Sequence, residues 1–331
     1  MALIFHAKRA IVYAAVEVTP GTAIADATLF AAANVLVQAH DVSMETKPEL
    51  AARKPMGPSQ QSIADVAGQV PAGLKFAHRT FGSGTAGTAP AYGLLLKACW
   101  MSETVVASTS VTYSSSPVST VSLTVGIGVL SEDGTTELRY VMSGVRGTWS
   151  MKADKILAPM FLSYDLTGAF QLSGGATTTP VGTLTYPTET ATGIRFGIFA
   201  GTPTGLFAYQ CDSFELDRGI KAIMATDTVN ANGLLYAMLE DEDPVLKIGY
   251  RAVAKSVADE MNKYAIGTEF ANSLQLGTTA GSILTVATNA HAQYKGYSQK
   301  AIGAAWGYEA QVNIHRTETS SASDGMSLQF K

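Results

Sequence analysis

The stretch "TVSLTVGIGVLSEDGTTELRYVMSG", residues 120–144, indicates the fold class of this chain. On both sides of "SEDGT", apolar and polar residues alternate, as expected of strands with one face in a core. Asp133-Gly134 is a strong signal for a tight hairpin turn, because such turns favour residues that tolerate positive φ. The stretch predicts an antiparallel hairpin. Similar short β-type segments dominate the remaining sequence, so we expect a mainly β protein.

Two short helices are predicted between the strands, at 90–100 and at 256–266, the second with Ser256 as its N-cap. Two polar segments, 41–72 and 217–244, are too long for ordinary connections between elements. We expect the first to be an extended arm or hairpin and the second to be its counterpart; a disordered surface loop is the alternative for each.

The order of strand, long segment, strand, helix and further strands occurs twice along the chain, which predicts an internal duplication. The stretch 167–190 is rich in Gly, Thr and Pro and marks the boundary. We therefore expect two tandem domains, 1–170 and 171–331. Two unrelated β domains are the alternative, because residue identity between the halves is weak.

Composition points to a protein with weakly charged surfaces. Charged residues make up 15% of the 331 residues, against about 25% in an average soluble domain. Such a chain either covers itself with small polar residues or hides its surface against other chains. The net charge of −4 gives no basic surface that would grip nucleic acid.

Cys99 and Cys211 are the only cysteines, far apart in sequence, and they provide neither a disulfide framework nor a zinc site. They favour folding in a reducing compartment. No apolar run approaches the length of a membrane-spanning helix, and the N-terminal residues do not read as a signal peptide. We expect no membrane span.

The run "GSGTAG" (82–87) matches the G-x-G-x-x-G pattern of dinucleotide-binding loops. That pattern requires a strand buried on both faces before it and a helix that holds the third glycine. The preceding strand "GLKFAHRTF" alternates instead, and Gly87 lies before the predicted helix. We expect these glycines to let the chain leave a strand and approach a helix at a crowded joint, with no phosphate bound.

Catalytic and metal-binding patterns are missing from the sequence, so we expect no enzyme, cofactor or metal. No histidine lies three or four residues from another histidine or a cysteine, and no strained nucleophile motif accompanies His40-Asp41. The acidic run "LEDEDP" (239–244) lacks the spaced ligands of a calcium loop. A solvated loop is the ordinary interpretation of this run, and calcium binding is the alternative. The five histidines are His6, His40, His78, His291 and His315.

The stretch "GSGTAGTAPAYGLLLKACWMSET" (82–104) resembles the central segment of tail tube (major tail) proteins of long-tailed, non-contractile bacteriophages. In that family a strand leads through a loop of this type into a short helix. The opening "VEVTPGTA" (16–23) is similar to the family's E-x-x-x-G-T-A start. "FELDRGIK" (214–221) and "LGTTAGSILTV" (276–286) resemble two further family segments, with Leu276 where the family has histidine. These similarities extend over most of 16–331.

The resemblance implies tail-tube-type β-sandwich or barrel domains, each with a flanking α-helix and a long loop or hairpin arm. Such subunits polymerise into stacked rings around a channel that conducts DNA. With two tube domains per chain, three chains would form a pseudo-sixfold ring; with one tube domain and an outer domain, six chains would be needed. The implied location is the virion tail, assembled in the bacterial host cytoplasm.

The partners implied are copies of the chain itself and the tape-measure, tail-terminator and distal tail proteins, while double-stranded DNA passes without specific binding. Two sets of residues are candidates for these contacts. The assembly candidates are Glu45, Lys47, Pro48, Arg53, Pro55, Asp217 and Arg218. The candidates for an acidic lumen or ring surface, which would repel phosphate over about 8–10 Å, are Asp227, Glu240, Asp241, Glu242 and Asp243.

Two other classes stay open. Another structural ring or tube, or a virion decoration protein, would share the β content and low charge. A carbohydrate-binding β-sandwich or glycan-active enzyme would usually expose tryptophans and bring carboxylates close together. Trp100, Trp149 and Trp306 all lie in apolar contexts, which disfavours this class.

Overall fold

The structure, a computed structural model, describes residues 5–53, 63–116, 121–171, 194–228, 233–252, 259–302, 305–317 and 325–331. It is mainly β, as predicted, with three short α-helices in the described residues: α1 (Asp26–Leu29), α2 (Gly93–Ala98) and α3 (Glu260–Ile266). The strands before residue 171 are β1 (Phe5–Val16), β2 (Val35–Thr46), β3 (Leu50–Arg53), β4 (Ile63–Ala67), β5 (Pro71–Arg79), β6 (Met101–Val106), β7 (Ser110–Ser115), β8 (Leu123–Ser131), β9 (Glu137–Ala153) and β10 (Phe161–Phe170). The later strands are β11 (Cys211–Asp217), β12 (Ile220–Thr226), β13 (Leu234–Glu242), β14 (Val245–Arg251), β15 (Glu269–Phe270), β16 (Ser273–Leu276), β17 (Leu284–Thr288), β18 (Ala292–Ile302), β19 (Ala305–Ile314) and β20 (Met326–Phe330).

Six strands close into a barrel in the order β10-β5-β2-β1-β8-β9, because β9 and β10 also pair with each other. The predicted hairpin is confirmed as β8 and β9, and the Asp133 carboxylate holds its turn by accepting from the Thr135 amide at 3.0 Å. Full closure removes the exposed edges that an open sheet would leave.

The long strand β9 also connects the barrel to a second sheet. Beyond the barrel, its final residues pair with β11, and the sheet continues through β14, β19, β18 and β15. All of these strands are neighbours in one eleven-stranded ladder. The barrel and the later strands are therefore joined by backbone hydrogen bonds as well as by the chain.

A separate five-stranded sheet has the order β16-β17-β20-β7-β6. Its central strand, β20, pairs with β17 on one side and with β7 on the other. Strands from both sides of residue 170 thus share this sheet. The stretch 172–193, within which the domain boundary was expected to end, lies outside the described residues, and the division into 1–170 and 171–331 stays a prediction.

The predicted repetition in the order of elements is visible in the topology. In the first part, β2 leads through a hairpin to β5, then to α2, the β6–β7 hairpin, and β9 and β10. In the second, β11 leads through a hairpin to β14, then to α3, the β16–β17 hairpin, and β18 and β19. The two sets also have the same neighbours, β9-β10-β5-β2 and β18-β19-β14-β11. Strands without a counterpart are β8 in the first part and β15 and β20 in the second.

Each long polar segment contains a hairpin, but the two hairpins differ in placement. β3 and β4 extend the ladder of β2 and β5, and the Glu49 amide continues it by donating to the Gln69 carbonyl at 2.8 Å. β12 and β13 pair with each other and lie against β9 and β10 of the same chain. There Arg146 stacks 4.6 Å above the Tyr236 ring. The second segment therefore forms a hairpin, as its counterpart does, but this hairpin packs on its own chain.

Both predicted helices are present but shorter than expected. α2 begins at Gly93, because residues 91–92 form a turn after Pro90. α3 is capped by Asp259, whose carboxylate accepts from the Asn262 amide at 3.1 Å. Ser256, the expected cap, lies outside the described residues. Side chains of α2, including Leu95 and Leu96, are fully buried in the main core.

His78 is a buried histidine whose pKa predicts a pH-dependent stability. Its ring lies 4.5 Å from Tyr92 and stacks on Tyr164 at 5.6 Å. Its Nδ1 is 2.8 Å from the Arg79 carbonyl, which can only accept, so the neutral ring carries its proton there. Burial lowers the pKa of His78 to about 4, with a smaller contribution from His40.

We expect His78 to lower the free energy of unfolding as the pH falls from about 6.5 to about 4, because the unfolded chain then binds a proton that the folded chain excludes. Above about pH 6.5 His78 is neutral in both states, so this loss of stability is absent. Between these two pH values, the free energy of unfolding should fall by about 3 kcal/mol through His78. Urea unfolding of wild type and His78→Phe at pH 7 and pH 4 measures it, and an identical pH dependence in both proteins would contradict it.

Candidate functional site

One polar feature is a face of eight adjacent strands, which we call the polar face. It runs β2-β5-β10-β9-β11-β14-β19-β18 and so combines both repeated sets of strands. Directly paired residues share a face of a sheet, so the ladders define its membership. Near β2 it contains Ser43, Lys75, Asp165 and Thr148, which are paired in that order. From β9 towards β18 it contains Lys152, Glu215, Lys247, Gln311 and Gly296, again paired in order.

The lysines of the polar face are held by neighbouring carboxylates. Lys75 contacts Asp165 at 2.7 Å, and Lys247 contacts Glu215 at 3.1 Å. Two further ion pairs join Lys152 to Asp154 and Lys300 to Glu309. These pairs are partly or largely exposed, so each contributes little to stability. Their effect is to leave the face without an unpaired cluster of either charge among these residues.

Two grooves lie along this face. The larger, of about 620 Å³, covers the second set of strands and is lined by residues that include Lys152, Glu215 and Lys247. The smaller, of about 380 Å³, lies over the first set, between Lys75 and Asp217. The opposite side of these strands carries apolar side chains of the core. Trp149, Leu216 and Ile248 there are fully buried.

The assembly candidates fall into three structural situations. Glu45 and Lys47 are exposed and form an ion pair of 3.2 Å, and Pro48 next to them is exposed. The Arg53 side chain and Pro55 lie outside the described residues. Asp217 is partly exposed at the edge of the smaller groove.

Arg218, named as an assembly candidate, is fully buried within its own chain, so its side chain is not available to a partner in this structure. Its guanidinium contacts the Glu242 carboxylate at 2.8 Å and donates to the Ser115 hydroxyl and to the Trp100 carbonyl, the latter at 3.3 Å. Burial lowers the pKa of Arg218 and raises that of Glu242, so each charge depends on the other. Arg218 thus joins the base of the β12–β13 hairpin to the end of β7 and the segment after α2.

Most of the acidic candidates form ion pairs or accept a hydrogen bond within the chain. Glu240 pairs with Lys221 at 2.8 Å, Asp243 with Lys295 at 3.4 Å, and Glu242 with Arg218. The Asp241 carboxylate accepts from the Glu242 amide at 2.9 Å. The remaining candidate, Asp227, is partly buried near the tip of the same hairpin. Pairing with lysines weakens the expected repulsion of phosphate by this segment.

The glycine-rich loop at 82–87 forms the predicted crowded joint. The Gly84 amide donates to the Gly281 carbonyl at 3.0 Å, so it is already used within the chain. A Cβ on Gly82 would lie 2.0 Å from the Gly281 oxygen, and one on Gly281 would lie 2.1 Å from the Gly84 carbonyl carbon. The loop therefore packs backbone to backbone against residues 277–282. These contacts give the "GSGTAG" run a structural role.

Glu17, the acid of the "VEVTPGTA" stretch, is also structural. It is 6% exposed, and its carboxylate accepts from the amides of Gly21 and Gly144, both at 2.7 Å. It also accepts from the hydroxyls of Ser122 and Thr124. This network ties the end of β1 to the start of β8 and to the middle of β9. The sequence singled out the stretch but gave no sign of this role.

The remaining chemical candidates do not converge on a site. Among the described residues, no group of three or more His, Cys, Asp or Glu side chains could hold a metal ion. His291 pairs with Glu269 at 2.7 Å, and the His6 side chain lies outside the described residues. Trp149 is buried, but Trp306 is 59% exposed despite its apolar sequence context.

Comparisons with known proteins do not identify a family. No protein-family model matches the chain, and no curated protein matches its sequence. Within the part of the chain that the structure describes, no helix is long and apolar enough to span a membrane.

Proposed function

We propose that this protein is the structural subunit of a hollow homopolymer of the phage tail tube type, and that its polar face lines the channel. The observation that carries the proposal is the polar face itself, which is continuous across both repeated sets of strands. Copies joined side by side would extend this face into a wall. With two similar sets per chain, three chains would supply a pseudo-sixfold ring. Such a subunit would be located in the virion tail and assembled in the host cytoplasm.

The chemistry of the polar face suits a channel for a polyanion. Binding to DNA draws its strength from lysines and arginines that neutralise phosphates. On this face Lys75, Lys247 and Lys300 are each engaged by a carboxylate. A phosphate backbone would have to break these pairs in order to bind. Double-stranded DNA would therefore pass without being held.

The β3–β4 hairpin supports contacts between successive rings. It continues β2 and β5 beyond Lys47 and Pro71, at the opposite end of these strands from the β9–β10 connection. Near that connection, Ile156 and Leu157 are about half exposed at 48% and 59%. A projection at one end and exposed apolar residues at the other fit head-to-tail stacking. The tape-measure, tail-terminator and distal tail proteins would contact the ends of such a stack.

Removing the β3–β4 hairpin is expected to stop stacking while rings still form. Residues 50–67 can be replaced by an Asn-Gly turn, because Glu49 and Gly68 are already joined by a hydrogen bond of 2.7 Å. Electron microscopy would show single rings instead of tubes, with circular dichroism confirming that the remaining chain is still folded and mainly β. Tubes as long as those of the wild type would contradict this role.

The proposed function is tested by sedimentation velocity of the purified chain over a range of concentrations. We expect a small closed oligomer and longer polymers whose share rises with concentration. A protein that sediments as a monomer at every concentration would contradict the proposal. An electrophoretic shift of short duplex DNA at physiological salt would contradict the non-binding channel but leave the polymer intact.

A further inference from the structure

Two open strand edges lie at the two ends of the polar face. At one end, residues 35–39 of β2 pair with β1, and residues 40–46 pair with β5. On the side of β2 that faces away from β5, the described residues place no strand against residues 43–47. At the other end, β18 pairs with β19 along its length, whereas β15 covers only Ala292 and Gln293. In the described chain, the second edge of 296–302 is likewise open. Unpaired edges of this kind are templates for pairing with another chain.

The chain itself shows how two such edges can be joined. At the centre of the polar face, the end of β9 pairs with β11, which connects the first set of strands to the second. Met151 lies directly opposite Leu216 in this junction, and Lys152 lies opposite Glu215. Met151 and Leu216 are both 0% exposed. The junction is thus a closed and buried version of an edge-to-edge contact.

The edge of β2 corresponds to the edge of β11. Both strands carry serine, an apolar residue and glutamate, "SME" at 43–45 and "SFE" at 213–215. In both, a register irregularity comes just before the serine, and the next strand in the ladder follows the hairpin. This alignment places Thr46 at the position of Leu216.

The edge of β18 corresponds to the edge of β9. The ladders β5–β10–β9 and β14–β19–β18 have the same order and the same antiparallel directions. Starting from Ser43, the paired residues lead across the ladder to Thr148 of β9; starting from Ser213, they lead to Ser298 of β18. Three residues farther along each strand, Ala301 therefore takes the position of Met151. Thr46 and Ala301 are both exposed, although their counterparts are buried. The two outer edges therefore correspond to the two strands of the internal junction, but the described residues place no strand against them.

We propose that residues 45–47 of one copy pair antiparallel with residues 300–302 of a second copy, with Thr46 opposite Ala301, so that the β9–β11 junction is repeated between chains. The inference rests on the proposed function and adds its partner surface and register. The contact joins different surfaces of two identical chains. Repetition of such a contact closes a ring when the rotation between copies allows it.

A pair of cysteines tests this register. In Thr46→Cys/Ala301→Cys, the two sulfurs would lie on directly opposite residues, whose Cα atoms are about 4.5–5.5 Å apart in an antiparallel pair, within the range for a disulfide. Cys99 and Cys211 are buried, and burial raises the pKa of each to about 12, so they do not interfere. After mild oxidation we expect most of the chain in covalent oligomers that a reductant reverses.

Two controls separate the register from general proximity. Glu45→Cys/Ala301→Cys shifts the pair by one residue and places the two side chains on opposite faces, so it should cross-link at least tenfold less. A mixture of the single variants Thr46→Cys and Ala301→Cys should give a disulfide-linked dimer, because the bond forms between chains. Neither single variant alone should do so.

The outcomes distinguish the inference from the function it rests on. If the wild type forms rings but the 46/301 pair does not cross-link in the double variant or in the mixture, the register is overturned and the polymer proposal stands. Equal cross-linking of the 45/301 and 46/301 pairs also overturns the register. If the wild type stays monomeric, both the proposed function and the edge contact are overturned.

Discussion

Substitution of Arg218 by alanine is expected to lower the free energy of unfolding by about 3–5 kcal/mol, which is the usual effect of removing one partner from a buried ion pair. Arg218 is 0% exposed, and its guanidinium lies 2.8 Å from the Glu242 Oε1 atom. Its loss would leave a carboxylate uncompensated and the Ser115 hydroxyl without its guanidinium contact. Urea unfolding at low protein concentration measures the change.

Two variants control this result. Lys221→Ala removes the cation of an exposed pair in the same hairpin, that with Glu240, and should leave the unfolding midpoint unchanged. Arg218→Met/Glu242→Leu replaces both buried charges by apolar groups and should be more stable than Arg218→Ala. A change of less than about 1 kcal/mol in Arg218→Ala would show that the buried pair does not anchor the hairpin.

Substitution of Gly281 by alanine is expected to destabilise the protein by about 2–5 kcal/mol, through a strained backbone together with overpacking. Gly281 has a φ of +81°, in the left-handed region that favours glycine. An added Cβ would lie 2.1 Å from the Gly84 carbonyl carbon, so one of two backbone segments would have to move. Thermal or chemical denaturation measures the loss.

Gly201→Ala is the matched control, because a Cβ there would meet only the Gln275 Oε1 atom at 3.8 Å. It should change stability by less than about 1 kcal/mol. Equal stability of Gly281→Ala and Gly201→Ala would contradict the backbone-to-backbone joint between 82–87 and 277–282.

Local features of the fold could be predicted from sequence because their causes are local. Asp133-Gly134 sets a turn between two alternating segments, and the β8–β9 hairpin follows from it. Closure of the barrel and the pairing of β20 with β7 depend on contacts between residues far apart in sequence. No periodic pattern specifies which strand lies beside which. Their neighbours were therefore not predicted.

The candidate residues show the same limit. Glu45 and Lys47 were expected at the surface and are exposed there. Arg218 was named as an assembly candidate together with Glu45 and Lys47, because charged residues in polar segments are usually solvated. Its burial depends on Glu242, Ser115 and Trp100, which come from three separate parts of the sequence. The polar face was missed for a similar reason, since its members are single residues on eight strands that become neighbours only through the ladders.

Negative-stain electron microscopy of the purified, concentrated chain most directly tests whether it builds a hollow polymer. The account predicts rings with three chains, a pseudo-sixfold outline and an open centre, and stacks of these rings as tubes. Solitary compact particles at high concentration, or assemblies without an open centre, would contradict it.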